Sequence, residues 1–169
     1  RDKDFIAAIN WKQAEKCVAE GKAIYAAQYK ENREGESAAA GLAQRLERWL
    51  HRPVAADVAG GAAKPTLELG AGTLNQLPFE PVGGAYDIVE PFRSLFEGSP
   101  RRARLRDVFD DISQVPADRR YDRITSVAAM EHICDLPLVL ARSAKLLAPG
   151  GVFRAAIPAE GGLLWTLGW

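Results

Sequence analysis

The rhythm of hydrophobic and polar positions changes along the chain near residue 53. Before that point apolar residues recur at helical spacing. Trp11, Ala14 and Val18 stand at i, i+3 and i+7, and Leu42, Leu46, Trp49 and Leu50 at i, i+4, i+7 and i+8. Each set makes one stripe along a helix that faces a core. The polar, glycine-broken stretch "YKENREGES" separates the two helices, Ser37 is placed to cap the second, and Pro53 follows its end. After the small-residue stretch "AADVAGGAAKP", read as an exposed linker, the apolar runs become short and often β-branched. "TLEL" (66–69), "YDIVE" (86–90), "RLRDVF" (104–109), "DRITSV" (122–127) and "GVFRAAI" (151–157) are strand candidates. "LPLVLARSAKLL" returns to helical spacing, with Leu136, Val139, Leu140, Ala144 and Leu147 as its apolar face. Pro137 sits in its first turn, and Pro149, Gly150 and Gly151 stop it.

Strands separated by crossover segments imply an α/β fold: a Rossmann-like, mostly parallel sheet with helices on both faces, preceded by N-terminal helices. In such sheets ligands bind beyond the carboxyl ends of the strands. The expected division is a helical lid over residues 1–52, a linker over 53–64 and the sheet domain over 65–169. With 169 residues and 47% hydrophobic content, the chain suffices for one well-cored domain.

Charge narrows the partners. Twenty-two basic residues balance 22 acidic ones, which argues against a nucleic-acid or membrane-surface specialist. The local run of Arg101, Arg102, Arg104 and Arg106 lies beside Asp107, Asp110 and Asp111 and reads as a solvated edge. No apolar run approaches the roughly 20 residues of a membrane helix. Cys17 and Cys134 lie far apart without C-x-x-C spacing, so a reduced, cytoplasmic protein without a disulfide framework is expected. His51 and His132, with no carboxylate-rich cluster, give no credible metal site. Oligomeric state leaves no mark on the sequence.

The candidate chemistry begins at "TLELGAGTLNQLPF" (66–79), a strand that runs into a glycine loop. Gly70 and Gly72 permit positive φ and let a ligand approach bare backbone. Glu90 closes the next strand candidate 18 residues past Gly72, a placement suited to a ribose whose two hydroxyls donate to one carboxylate. Two readings compete: a dinucleotide site, as in an NAD-linked oxidoreductase, or an adenosyl site of another kind. The dinucleotide fingerprint G-x-G-x-x-G opens a helix whose N-terminus holds a pyrophosphate. Here Asn75 replaces the third glycine, and Pro78 and Pro81 leave little room for that helix. A ligand without phosphates would not need it.

The sequence resembles the class I S-adenosylmethionine-dependent methyltransferases. The resemblance is carried by "LELGAG" (67–72), "YDIVEP" (86–91), "DDI" (110–112), "YDRITSVAAMEHI" (121–133) and "LLAPGGVF" (146–153), in order, from about residue 65 to 157. It implies S-adenosyl-L-methionine as cofactor and transfer of its methyl group to a small-molecule acceptor, a non-catalytic cofactor-binding protein being the alternative. By the same resemblance Glu68, Gly70 and Gly72 hold the methionine part, and Glu90 takes the ribose hydroxyls. Asp111, or Asp110 in the alternative register, meets the adenine amino group while Ile112 packs on the ring, and the Val127 carbonyl contacts the methionine amino group. His132 is the candidate general base, against the reading that Glu131 and His132 only brace a turn. Tyr25 and Tyr29 are candidate lid residues facing the substrate, and Gly161 and Gly162 could flank a substrate loop. Three departures stand out. Leu74 occupies the third glycine position of the family's E-x-G-x-G-x-G, the helix after the first strand must be short, and the C-terminal part of the family's sheet is expected to be missing after "PAEGGLLWTLGW".

Overall fold

The computed structural model describes residues 49–157. Five strands form one parallel sheet: β1 (Thr66–Leu69), β2 (Tyr86–Val89), β3 (Val108–Phe109), β4 (Tyr121–Val127) and β5 (Leu147–Ala156), in the order β3-β2-β1-β4-β5. The order reverses at β1, which lies between β2 and β4. This is the Rossmann-like arrangement, and the point of reversal is where such sheets open a crevice.

The connections differ from the simplest alternation. Between β1 and β2 the only helical piece is a 3-10 turn, Leu77–Phe79, as Pro78 and Pro81 require. "RLRDVF" supplies strand only at Val108–Phe109, because Pro100–Arg104 is taken by another 3-10 helix started by Ser99. The full α-helix, α1 (Leu136–Leu146), is capped by Asp135, whose side chain accepts from Leu138 N. Its inward residues are Ser143 and Leu146, with Leu136 and Val139 half-buried, whereas Leu140 and Ala144 face outward. The sequence reading therefore set the stripe one step too far round on one side. Ser143 takes the inner position, and an apolar count overlooks it.

The two faces of the sheet are packed differently. Under α1 lies an apolar layer of Leu67, Leu69, Ile112, Val115, Tyr121, Ile124 and Leu146. On the opposite face Leu74, Leu77, Tyr86, Ile88, Phe96 and Leu105 make a second cluster toward β3. Toward β4 that same face is ionic. Arg123, fully buried, donates to Glu80 Oε2 at 2.6 Å, to Asp57 Oδ2 at 3.0 Å and to the Val54 carbonyl at 2.9 Å. Glu80 also accepts from Gln76 Nε2 at 2.6 Å, and Gln76 Oε1 lies 2.8 Å from His51 Nδ1, whose ring stacks on Phe79. Asp57 pairs a second time, with Arg154 of β5 at 3.2 Å.

This network corrects two expectations. Residues 53–64 are not a plain exposed linker: Val54, Ala55 and Val58 are buried, and Asp57 is committed to the sheet. The arginine run is not simply a solvated edge either. Arg104 donates to the carbonyls of Leu77, Glu80 and Pro81 and so closes the turn after β1. Arg106 pairs with Asp87, a fully buried carboxylate that also accepts from Arg119, Tyr121 and the Asp107 amide. Cys134 is disulfide-bonded, against the reduced reading; the other cysteine of the sequence, Cys17, lies outside the described residues.

Candidate functional site

The register fixes where the strands end. Leu69 pairs with Val89 and with Ser126, and Val89 with Phe109, so the carboxyl ends of β1, β2 and β3 and the last turn of β4 reach one edge together. Glu68, Gly70, Gly72, Glu90, Asp111 and Val127 all lie at or just past that edge.

The loop after β1 has the backbone its glycines permit. Gly70 has φ 71° and Gly72 φ 50°. A Cβ on Gly70 would stand 2.4 Å from the Cβ of Ala129, so the glycine is what lets the loop after β1 touch the loop after β4. At Gly72 a Cβ would meet nothing: that side of the backbone is open. Leu74, at the family's third glycine position, keeps the glycine-like conformation at φ 63°. The left-handed backbone costs a non-glycine residue about 1–2 kcal/mol. Full burial of the Leu74 side chain beside Leu77, Ile88 and Phe96 offsets this, since burying a leucine is worth about 1.5–3 kcal/mol.

Glu90 turns back onto this loop. Its Oε2 accepts from Gly72 N and its Oε1 from Phe92 N, each at 2.9 Å. Burial raises its pKa above the ordinary carboxylate range, and the two amides work against that shift. Glu68, on β1 beneath the loop, is 1% exposed and accepts a 3.0 Å bond from the Tyr86 hydroxyl at Oε2. Burial pushes Glu68 to about 8. The Tyr86 bond lowers it, Glu80 and Glu90 raise it further, and Arg123 opposes them.

The other candidates are placed as follows. Asp111 caps the 3-10 turn Ile112–Gln114, its Oδ1 accepting from Ser113 N at 2.8 Å, and its side chain is on the surface. Asp110 pairs with Arg93 at 2.9 Å. Ile112 is committed to the apolar layer under α1. Val127 is buried at the end of β4, and Ala128 follows it with φ 50° and an amide donating to Ala156 O. Ser126 Oγ donates to the Leu69 carbonyl at 3.1 Å, a second tie between β4 and the end of β1. Glu131 and His132 lie exposed on the 3-10 turn Met130–His132, where His132 N donates to Ala129 O. Tyr25, Tyr29, Gly161 and Gly162 lie outside the described residues.

Sequence reading missed Tyr86, Ala129 and the Arg123 cluster. A signal existed for the Arg123 cluster. Thr66 and Glu68 on β1, and Arg123 and Thr125 on β4, are polar residues at period two in strands bounded by apolar neighbours, the pattern of a sheet face lined with partners rather than with aliphatic groups. Ala129 carries no signal, because its role is a close approach between loops that only coordinates reveal.

The family model described as "Methyltransferase domain" matches residues 31–161. Among solved structures, a protein of Galdieria sulphuraria described as a sarcosine dimethylglycine methyltransferase is 25% identical, with TM-score 0.51, over 65% of this chain and 44% of that one. The N-methyltransferase NodS of Bradyrhizobium japonicum, solved with S-adenosyl-L-homocysteine, is 18% identical with TM-score 0.48 over 72% of this chain and 63% of that one. An amino pentose methyltransferase of Micromonospora echinaspora is 21% identical with TM-score 0.43 over 82% of this chain and 57% of that one. This chain thus spans less than two thirds of the length of each of them. No curated protein matches it. The match over residues 31–161 takes in every described strand, and the chain belongs to the methyltransferase domain family, in agreement with the class I resemblance carried by its motifs.

Proposed function

We propose that the chain carries the S-adenosyl-L-methionine-binding part of a methyltransferase that acts on a small-molecule acceptor. The observation that carries this reading is the Glu90 carboxylate held on the amide of Gly72, where the loop backbone is open. A ligand with an adenosyl sugar fits those groups: the carboxylate is oriented by two amides and can accept from vicinal hydroxyls, while Gly72 offers main chain without a side chain. A dinucleotide fits them poorly, since Leu77–Phe79 is a single 3-10 turn and offers no helix N-terminus for a pyrophosphate.

Each residue then has a part. Glu90 takes the ribose hydroxyls, and the backbone of Gly70 to Gly72 lies along the methionine part. Glu68 supplies negative charge beneath the amino group, and the Val127 carbonyl accepts from that group. Asp111 meets the adenine edge, while Ile112 supports that turn from the core side. The bound sulfonium supplies an activated methyl group. What remains for the protein is alignment of the acceptor and exclusion of water. His132 stands on the exposed turn after β4, where it can take a proton from an acceptor hydroxyl or ammonium. The small-molecule class is supported by the Galdieria sulphuraria neighbour, which is named for sarcosine and dimethylglycine.

Calorimetry with S-adenosyl-L-homocysteine tests the reading. The wild type is expected to bind at micromolar concentration. Glu90→Ala removes a buried carboxylate and should weaken binding by about 1–3 kcal/mol, a factor of about 5 to 150. No binding by the wild type, or unchanged affinity in Glu90→Ala, would refute it.

A further inference from the structure

Three polar side chains from adjacent strands share the sheet face beneath the glycine loop. Thr66 is in register with Tyr86, and Glu68 with Thr125, which puts Glu68 of β1 between Tyr86 of β2 and Thr125 of β4. Glu68 is 1% exposed, Tyr86 6% and Thr125 0%. The Tyr86 hydroxyl donates to Glu68 Oε2 at 3.0 Å. Thr125 is buried on the other side of Glu68, and its hydroxyl acts on the Tyr86 hydroxyl. Among the described residues Glu68 has one donor and no cation in contact, and a buried carboxyl so placed is expensive unless it is neutral or a charge arrives to meet it.

We propose that Tyr86 is a positioning residue: its bond to Oε2 fixes the Glu68 carboxyl beneath the loop, so that Glu68 gives up its proton when a ligand bearing an ammonium group settles above it. The proposal rests on the adenosyl-methionine reading, because that ligand brings the positive charge. The step is a simple ionisation. The Glu68 O–H bond breaks, the proton passes to solvent, and the carboxylate is left facing the cation.

The charges around Glu68 set the direction. Burial keeps it protonated at neutral pH, up to about 8. The Tyr86 hydroxyl on β2 favours the ionised form. Glu80, beyond the loop, and Glu90, at the end of β2, disfavour it, and Arg123 on β4 favours it. Tyr86 itself is pushed well above its ordinary range, first by burial and then by the Glu68 charge, so it remains a donor throughout. An ammonium group over the loop acts in the same sense as Arg123, from the other side. Tyr86→Phe keeps the ring and deletes the donor that supports the anion, so Glu68 must titrate higher still. Each pH unit of that rise lowers affinity at neutral pH about tenfold.

Two measurements test this. Infrared titration of the unliganded protein follows the Glu68 carboxyl band, assigned with Glu68→Gln. A midpoint near 8 that moves upward in Tyr86→Phe is expected, and an unmoved midpoint overturns the proposal. Calorimetry with S-adenosyl-L-homocysteine in two buffers of different ionisation enthalpy counts the protons released. The wild type should release most of one proton at pH 7, and Glu68→Gln none. Tyr86→Phe should bind about tenfold more weakly at pH 7, with the gap closing as pH rises. Wild-type binding with no proton release overturns the proposal alone and leaves the adenosyl reading standing. Failure to bind at every pH overturns both. Should Tyr86→Phe not fold, buffer-dependent binding enthalpy in the isosteric Glu68→Gln variant overturns the proposal by itself.

Discussion

Gly70→Ala is the substitution whose effect the geometry specifies most fully. The new methyl would lie 2.4 Å from the Ala129 Cβ, and neither group is the far end of a flexible side chain. Carbon atoms rest at about 3.5–4.0 Å, so one loop must move by about 1 Å or more. Overpacking of this kind costs about 1–3 kcal/mol. A second cost comes from the backbone, because Gly70 has φ 71° and an alanine there pays about 1–2 kcal/mol. Together the variant should lose about 2–5 kcal/mol. For a protein of this size that is a fall in Tm of roughly 2–4 °C per kcal/mol. The two costs separate in a double-mutant cycle. Ala129→Gly in the Gly70→Ala background removes the clash and leaves the backbone cost, so thermal unfolding should show recovery of about half the loss. Ligand binding should recover with it, because the displaced segment carries the Met130–His132 turn. Gly70→Ala with wild-type Tm, or a double mutant no better than the single one, would refute the claim that the two loops meet through this glycine.

Three further outcomes are expected. Arg123→Met leaves Glu80 in the interior without its cation and Asp57 with Arg154 alone, and should cost about 3–5 kcal/mol by denaturant unfolding, far more than loss of the exposed Arg93–Asp110 pair. Asp87 titrates below its ordinary range. Burial alone would raise it, but Arg106, Tyr121 and Arg119 more than reverse that. Its folded-state pKa is depressed, so its stabilisation is present above the unfolded value of 3.8 and lost as pH falls through the lower folded value. Asp87→Asn should therefore be less stable than wild type at pH 7, with the difference shrinking in acid unfolding curves below pH 4. Leu74→Ala keeps the left-handed backbone and loses the buried side chain. It should cost about 2–5 kcal/mol in thermal or denaturant unfolding, whereas a variant as stable as wild type would show that the side chain does not anchor the loop.

Most of the sheet was legible in the sequence, for a reason visible in β1 and β4. A strand buried on both faces reads as a short run with turn signals at each end, and "TLEL" and "DRITSV" fall within one residue of the observed strands. Glu90 was also legible, because its separation from the glycine loop survives in the linear order. "RLRDVF" was not. Its strand is only Val108–Phe109, and Ser99 with Pro100 starts a 3-10 helix that takes Arg104 away from the sheet. The outward placement of Leu140 and Ala144 was hidden for a similar reason: Ser143 is small enough to sit against the core, and hydropathy does not register size. The ionic face escaped because its members come from distant segments. Asp57, Glu80, Arg123 and Arg154 span most of the described chain, and no local window holds two of them.

The ionic clasps sit low on the strands. Thr66, Tyr86, Asp87 and Arg123 lie near the amino ends, where Arg123 and Asp87 each gather several partners. The opposite rim is built from glycine backbone, short 3-10 turns and single side-chain contacts. With the anchors at the base, amides in the lower halves of β1, β2 and β4 are expected to exchange their hydrogens only when the whole domain opens, while those of the exposed turn at residues 130–135 are expected to open and reclose on their own.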